Sequence, residues 1–142
     1  MRCPLFRDYF YLPNITNIFK VFFIKCYNNI YFDIYGPIED EVYWDKCQNI
    51  IQNLPKNIIV NYKGSLNNSD VLNTIKKYHL YLLPTKGENF GHSIIESFKA
   101  SCPVLISDQA PWRNLEIQNI GWDVSLLNKK KYIEIIESLA TF

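Results

Sequence analysis

The chain has 142 residues, 48% of them hydrophobic and 20% charged, which excludes intrinsic disorder and supplies the apolar surface for the core of one domain. A formal net charge of +1, with Lys129-Lys130-Lys131 as the one basic run, argues against nucleic acid as the main partner. No apolar stretch approaches the ~20 residues needed to span a bilayer, and Cys3, Cys26, Cys47 and Cys102 lack metal-ligand or redox spacing, which reads as reduced, mostly buried thiols.

Residues 1–13 read as a divergent or truncated start in which Phe10 to Leu12 is a short strand candidate. From Ile15 to Asn28 the apolar positions 15, 18, 19, 22, 23 and 26 fit an amphipathic helix. A strand from Tyr31 to Tyr35 ends at Gly36-Pro37. A helix with acidic residues in its first turn follows from about Asp40 to Asn53, stopped by Leu54-Pro55. The strand Ile58 to Tyr62 leads through Lys63-Gly64-Ser65 to a helix from about Asp70 to Tyr78, capped by Ser69 or Asn68. Two short apolar runs, Leu80 to Pro84 and Pro103 to Asp108, read as buried strands of a parallel sheet. A short helix beginning at Pro111, a strand near Trp122 to Leu126 and a helix from Lys130 to Ala140 complete the chain. Alternating strands and helices predict an α/β fold with a parallel sheet and right-handed crossovers, carried by residues 14–142.

The segment between the two buried runs is the most informative. Ile94, Ile95, Phe98 and Cys102 recur at helical spacing, so the unit reads strand, loop, helix, strand. A loop at the carboxyl end of a parallel strand is the usual place for a ligand. Gly87 and Gly91 let the backbone turn sharply there, and free N–H groups at a helix start attract an anion such as phosphate. His92 and Glu96 lie four apart on one helix face, and the Glu96 side chain leans back toward that anion site. A carboxylate beside a phosphate is suited to accept hydrogen bonds from hydroxyls attached to it, such as a ribose diol, which points to a nucleotide. Glu88, in the loop, is placed to accept from a further polyhydroxylated group; stabilisation by the helix dipole is its bland alternative.

The run GENFGHSIIESFKASCPVLISD resembles the donor-site motif of retaining glycosyltransferases of family 4 (group 1), which pair two Rossmann-like domains in a GT-B fold. The likeness runs from about Tyr31 to Leu127 and takes in Pro111-Trp112-Arg113-Asn114 and Gly121-Trp122-Asp123. It implies a Rossmann-like parallel sheet flanked by helices, the C-terminal, donor-binding half of such an enzyme. It assigns Glu96 to the ribose hydroxyls and the backbone around Gly91 and His92 to the pyrophosphate. Asn89 and Phe90 complete the substrate-binding set, and Glu88 is given the transferred sugar and the catalytic role. The implied reaction moves a hexosyl group from a nucleotide diphosphate sugar to an acceptor hydroxyl with retention, in polysaccharide or glycolipid assembly, without metal or cofactor. An N-terminal acceptor domain, in cis or trans, is the implied partner. The implied setting is cytoplasmic, extending to peripheral association of the full enzyme with the inner face of the membrane.

At 142 residues the chain is less than half of such a two-domain enzyme, so a fragment or truncated gene product, inactive by itself, is expected. Two departures favour a rival reading, a non-catalytic remnant that binds nucleotide weakly or not at all. Neither the arginine nor the lysine of the family's first loop stands at Asn14 to Asn17, and Arg7 is placed before or within the first strand. Ser101 stands where the family commonly has glycine, and a positive φ there would strain a serine by about 1 kcal/mol or more. A different nucleotide-binding Rossmann module would carry a Gly-x-Gly-x-x-Gly loop after its first strand, and the sequence has none.

Overall fold

The structure is a computed structural model and describes residues 1–6 and 29–141. The expected helix over Ile15 to Asn28, the strand candidate Phe10 to Leu12 and Arg7 lie outside those residues. Among the described residues six strands form one sheet: β1 (Arg2–Phe6), β2 (Ile30–Tyr35), β3 (Ile58–Gly64), β4 (Tyr81–Leu83), β5 (Val104–Ser107) and β6 (Gly121–Val124). Their order is β3-β2-β1-β4-β5-β6 and every pairing is parallel. The expected parallel α/β architecture is therefore present. The segment read as a divergent start supplies β1, which pairs Leu5 with Ile34 on one side and with Leu82 on the other.

This order has a topological consequence. The chain steps outward from β1 through β2 to β3, then returns to the opposite side of β1 for β4. The crevice at the carboxyl ends of β1 and β4 is thus a switch point, the place where open parallel sheets bind ligands.

Four helices are described: α1 (Glu41–Ile51), α2 (Asn68–Ile75), α3 (His92–Lys99) and α4 (Lys129–Ala140). Asp40 caps α1, its carboxylate accepting the Tyr43 N–H at 2.8 Å, and Asn128 caps α4 by accepting from Lys131. The basic run Lys129-Lys130-Lys131 forms the first turn of α4, one residue ahead of the expected start at Lys130. Helix α2 begins two residues earlier than expected, at Asn68, with Asn67 at the cap position and no side-chain cap bond. It also ends before Tyr78, because Lys77 and Tyr78 bond back to Thr74 and Ile75 and tighten the last turn.

Helix α3 ends in a Schellman motif. The Cys102 N–H reaches the Ser97 carbonyl at 2.9 Å and the Ser101 N–H reaches Phe98 at 3.0 Å. That closure requires a left-handed residue at the turn, and Ser101 occupies it with φ 55°. The serine thus carries a strain a glycine would avoid.

The short helix expected from Pro111 is absent; residues 115–119 form turns instead. Asn114 and Asn119 are left-handed, with φ 59° and 57°, which interrupts helical propagation. Arg113 donates to the carbonyls of Asp108 and Ala110, and Asp123 accepts the Leu115 N–H at 3.0 Å. Side chains therefore satisfy the Ala110 carbonyl and the Leu115 N–H, which a helix from Pro111 would have paired.

Each face of the sheet closes a core. Phe32, Ile34, Leu80, Leu82 and Leu105 pack with Cys47 of α1 and Tyr132, Ile135 and Ile136 of α4. Tyr35, Tyr81, Leu83, Val104 and Ile106 pack on the other face with Ile75 of α2 and Ile94 of α3. Alternation along β4 and β5 follows the period of two of a strand covered on both sides. Cys102 is buried in the second core, and burial pushes its thiol pKa up to about 12, in keeping with an inert thiol.

Candidate functional site

The loop after β4 leads from Pro84 into α3 beside the switch point. Two buried hydroxyls fix its start. Ser107, at the end of β5, donates to the Thr85 carbonyl, and Thr85 Oγ1 donates to the Gly87 carbonyl at 2.6 Å while accepting the Gly87 N–H at 3.2 Å. The loop's exit is set by Gly91, left-handed at φ 71° and capping α3 without a side chain. A Cβ at that position would stand 2.9 Å from Ile94 Cδ1 and 3.2 Å from Trp112 Nε1, so close packing as well as φ selects glycine.

Glu88 Oε1 accepts the Gly91 N–H at 3.0 Å. The carboxylate therefore satisfies one of the orphan donors at the start of α3, as the dipole-stabilised alternative anticipated. Asn89 and Phe90 are exposed, and the Phe90 ring lies over the His92 imidazole at 4.8 Å between centroids. The carbonyl of Gly91 receives the N–H groups of Ile94 and Ile95. Among the described residues no hydrogen bond takes up the N–H groups of His92 and Ser93.

Past this loop lies a cavity of about 670 Å³. One wall is α3, through His92, Ser93 and Glu96; the opposite wall comes from the carboxyl ends of β2 and β3, through Tyr35, Gly36, Pro37, Ser65 and Leu66, closed by Asn68 and Val71 of α2. Of the residues singled out in the motif, His92 and Glu96 line this cavity, and so do Ser65 and Leu66 of the turn after β3. Glu88, Asn89, Phe90 and Gly91 form the loop leading to it. Glu96 is partly exposed and pairs with Lys99 at 2.9 Å, an intrahelical contact of little stabilising weight in water.

Tyr35 also lines the cavity, and it is held by a chain of buried and half-buried polar groups. Tyr78 donates to Asp33 Oδ2 at 2.7 Å, so the 2.6 Å contact between the two phenols has Tyr35 as donor; Asn61 donates to Asp33 Oδ1 at 2.7 Å. Burial foremost, and then the hydrogen bonds with Tyr35 and Asp33, push the Tyr78 pKa well above its ordinary value. The alternating period of β2 places Asp33 and Tyr35 on one face, but nothing local in the sequence pairs them with Tyr78.

Arg113 forms no ion pair among the described residues. Its guanidinium is spent on the carbonyls of its own loop. Trp112 packs edge-on against Phe98 at 5.2 Å, and its buried indole N–H, without a hydrogen-bond partner among the described residues, abuts Gly91. Trp122 packs against the core on the α1 and α4 side. No group of three or more His, Cys, Asp or Glu side chains gathers to hold a metal among the described residues. Nor is any described helix long and apolar enough to cross a membrane.

Residues 10–140 match the family model of glycosyl transferases group 1. No curated protein matches the chain. Among solved structures, the chain resembles the apo form of the lipopolysaccharide outer core galactosyltransferase WaaB, with a TM-score of 0.69 at 13% identity, over 99% of this chain and 40% of that one. Trehalose-6-phosphate synthase OtsA gives a TM-score of 0.70 at 10% identity, over 98% and 34%. The glycosyltransferase GlyE of Streptococcus pneumoniae TIGR4 gives 0.64 at 16% identity, over 99% and 33%. At these identities the likeness shows the fold, and the chain spans about a third to two fifths of the length of these proteins.

Proposed function

The chain belongs to the glycosyl transferases group 1 family, and from that membership and the cavity beside α3 we propose that it is the donor-binding domain of a retaining GT-B hexosyltransferase. Its ligand is a nucleotide diphosphate sugar. The observation that carries this reading is Glu96 in the cavity wall, one turn into a helix whose first N–H groups are untaken.

The nucleoside lies in the cavity, with its base toward the apolar end formed by Pro37, Leu66 and Val71 and its ribose hydroxyls donating to Glu96. The diphosphate meets the N–H groups at the start of α3. As the bond to the sugar breaks, the charge that grows on the leaving phosphate is stabilised by donors already fixed in place. The sugar extends over the Glu88 loop. Oε1 of Glu88 holds the Gly91 N–H and thereby the left-handed turn, which leaves Oε2 to accept from a sugar hydroxyl. The backbone of Asn89 and Phe90 continues that rim. Positioning of donor against acceptor supplies the rest of the rate, and the acceptor site belongs to a further domain, in cis or trans. A cytoplasmic setting, at the membrane face for a polysaccharide or glycolipid acceptor, goes with this reading.

Calorimetric titration with uridine and guanosine diphosphates and their sugars tests it. The chain is expected to bind one series. Glu96→Ala, which removes a charged acceptor from two hydroxyls, is expected to weaken that binding at least about tenfold, at ~1.5–3 kcal/mol per charged hydrogen bond. A folded chain that binds no member of the panel overturns the proposal in favour of a non-catalytic remnant.

A further inference from the structure

Ser93 lies in the cavity wall between the loop and Glu96, three residues before Glu96 and hence on the same face of α3. Its hydroxyl is held from behind. Tyr81, fully buried in β4, donates its phenolic proton to Ser93 Oγ at 2.7 Å. The backbone is held too, since the buried Ser97 hydroxyl donates to the Ser93 carbonyl at 2.8 Å.

A serine hydroxyl carries one proton and accepts through its lone pairs. Because Oγ accepts from Tyr81, the Ser93 proton is turned toward other acceptors, and among the described residues no hydrogen bond takes it. It stands beside the N–H groups of His92 and Ser93, so a ligand oxygen at the start of α3 would meet three donors in one turn. The donation from Tyr81 also polarises the Ser93 hydroxyl and strengthens it as a donor.

Resting on the donor-site reading above, we infer that Ser93 Oγ donates a hydrogen bond to an oxygen of the nucleoside diphosphate, and that Tyr81 is a positioning residue that aims it. The arrangement adds a side-chain donor to an anion site otherwise built from backbone. It also gives the buried Tyr81 hydroxyl a role apart from core packing.

The test uses the diphosphate that the parent chain binds in the panel, with a thermal midpoint recorded for each variant. Ser93→Ala is expected to weaken diphosphate binding about five- to tenfold, while Ser93→Thr stays close to the parent. Tyr81→Phe is expected to weaken binding about threefold in the parent and not at all in the Ser93→Ala background, a dependence that a purely structural role would not produce. If Ser93→Ala binds like the parent while Glu96→Ala does not, the donor-site reading stands and this assignment falls. If Tyr81→Phe weakens binding equally in both backgrounds, Tyr81 does not act through Ser93. If Ser93→Ala weakens the bare nucleoside as much as the diphosphate, the phosphate contact is wrong. A parent chain that binds no diphosphate overturns both readings together.

Discussion

On the face covered by α1 and α4, Ile30, Phe32, Ile34, Leu82 and Leu105 meet Ile135 and Ile136, and the buried Tyr132 hydroxyl shares its one proton between the carbonyls of Val124, at 2.9 Å, and Ile106, at 3.2 Å. On the face covered by α2 and α3 the core is also apolar, yet Asp33 and Ser97 are buried beside it, and Thr85 and Ser107 are buried at the carboxyl ends of the strands. Each of these makes a hydrogen bond that fixes the cavity wall, α3 or the Glu88 loop. The contrast separates two tasks. One face supplies burial free energy, which is non-directional, and the other spends directional bonds to hold a particular geometry around a cavity.

Adjacent residues of β2 test that division, since Phe32 and Asp33 point to opposite faces. Phe32→Ala empties a fully buried site on the α1 and α4 side and is expected to destabilise the chain by about 3–5 kcal/mol. Urea unfolding should show that loss, and diphosphate affinity under fully folded conditions should be unchanged. Asp33→Ala leaves Tyr78 and Asn61 without their acceptor and is expected to cost about 2 kcal/mol. Here binding should weaken as well, because Tyr35 in the cavity loses the support of Tyr78. Equal behaviour of the two variants in both measurements would dissolve the distinction between the faces.

The smallest effect sharpens the comparison from the end of α3. Ser101→Gly relieves a left-handed serine within the Schellman closure and is expected to stabilise the chain by about 1 kcal/mol, read as a higher thermal midpoint with affinity unchanged. A fall in the midpoint would mean that the serine contributes something the glycine cannot replace.

Much of this was legible in the sequence where local pattern and local geometry coincide. The apolar runs around Leu82 and Leu105 are strands because nothing else buries so short a stretch on both sides. Gly91, followed by apolar positions at helical spacing, marks the start of α3, and the spacing of His92 and Glu96 places both on the cavity wall. Ser101 was identifiable as a position of strain through the family resemblance, since glycine is common there and a positive φ strains a serine.

Other features were not legible, each for a stated reason. Arg2–Phe6 carries no strong alternation, and it is a strand because β2 and β4 pair with it from both sides. The segment after Pro111 resembles a helix start, but Asn114 and Asn119 are left-handed, and the Leu115 N–H and Trp112 carbonyl bond the side chains of Asp123 and Arg113. Ser93 belongs to the motif without a chemical signal of its own, because its partner Tyr81 comes from β4 and meets it only in the fold.

By itself, then, the order of residues determined the α/β class, the motif helix and the face that carries Glu96, since these follow from periodicity and from the backbone freedom of glycine. Tertiary structure alone decided that Asp33, Tyr35, Tyr78 and Asn61 form one polar chain, and that the cavity lies between α3 and the ends of β2 and β3. The physical reason is that hydrogen bonds between distant segments depend on which strands become neighbours. That choice is settled by burying both faces of the sheet at once, a global condition that no local stretch of sequence expresses.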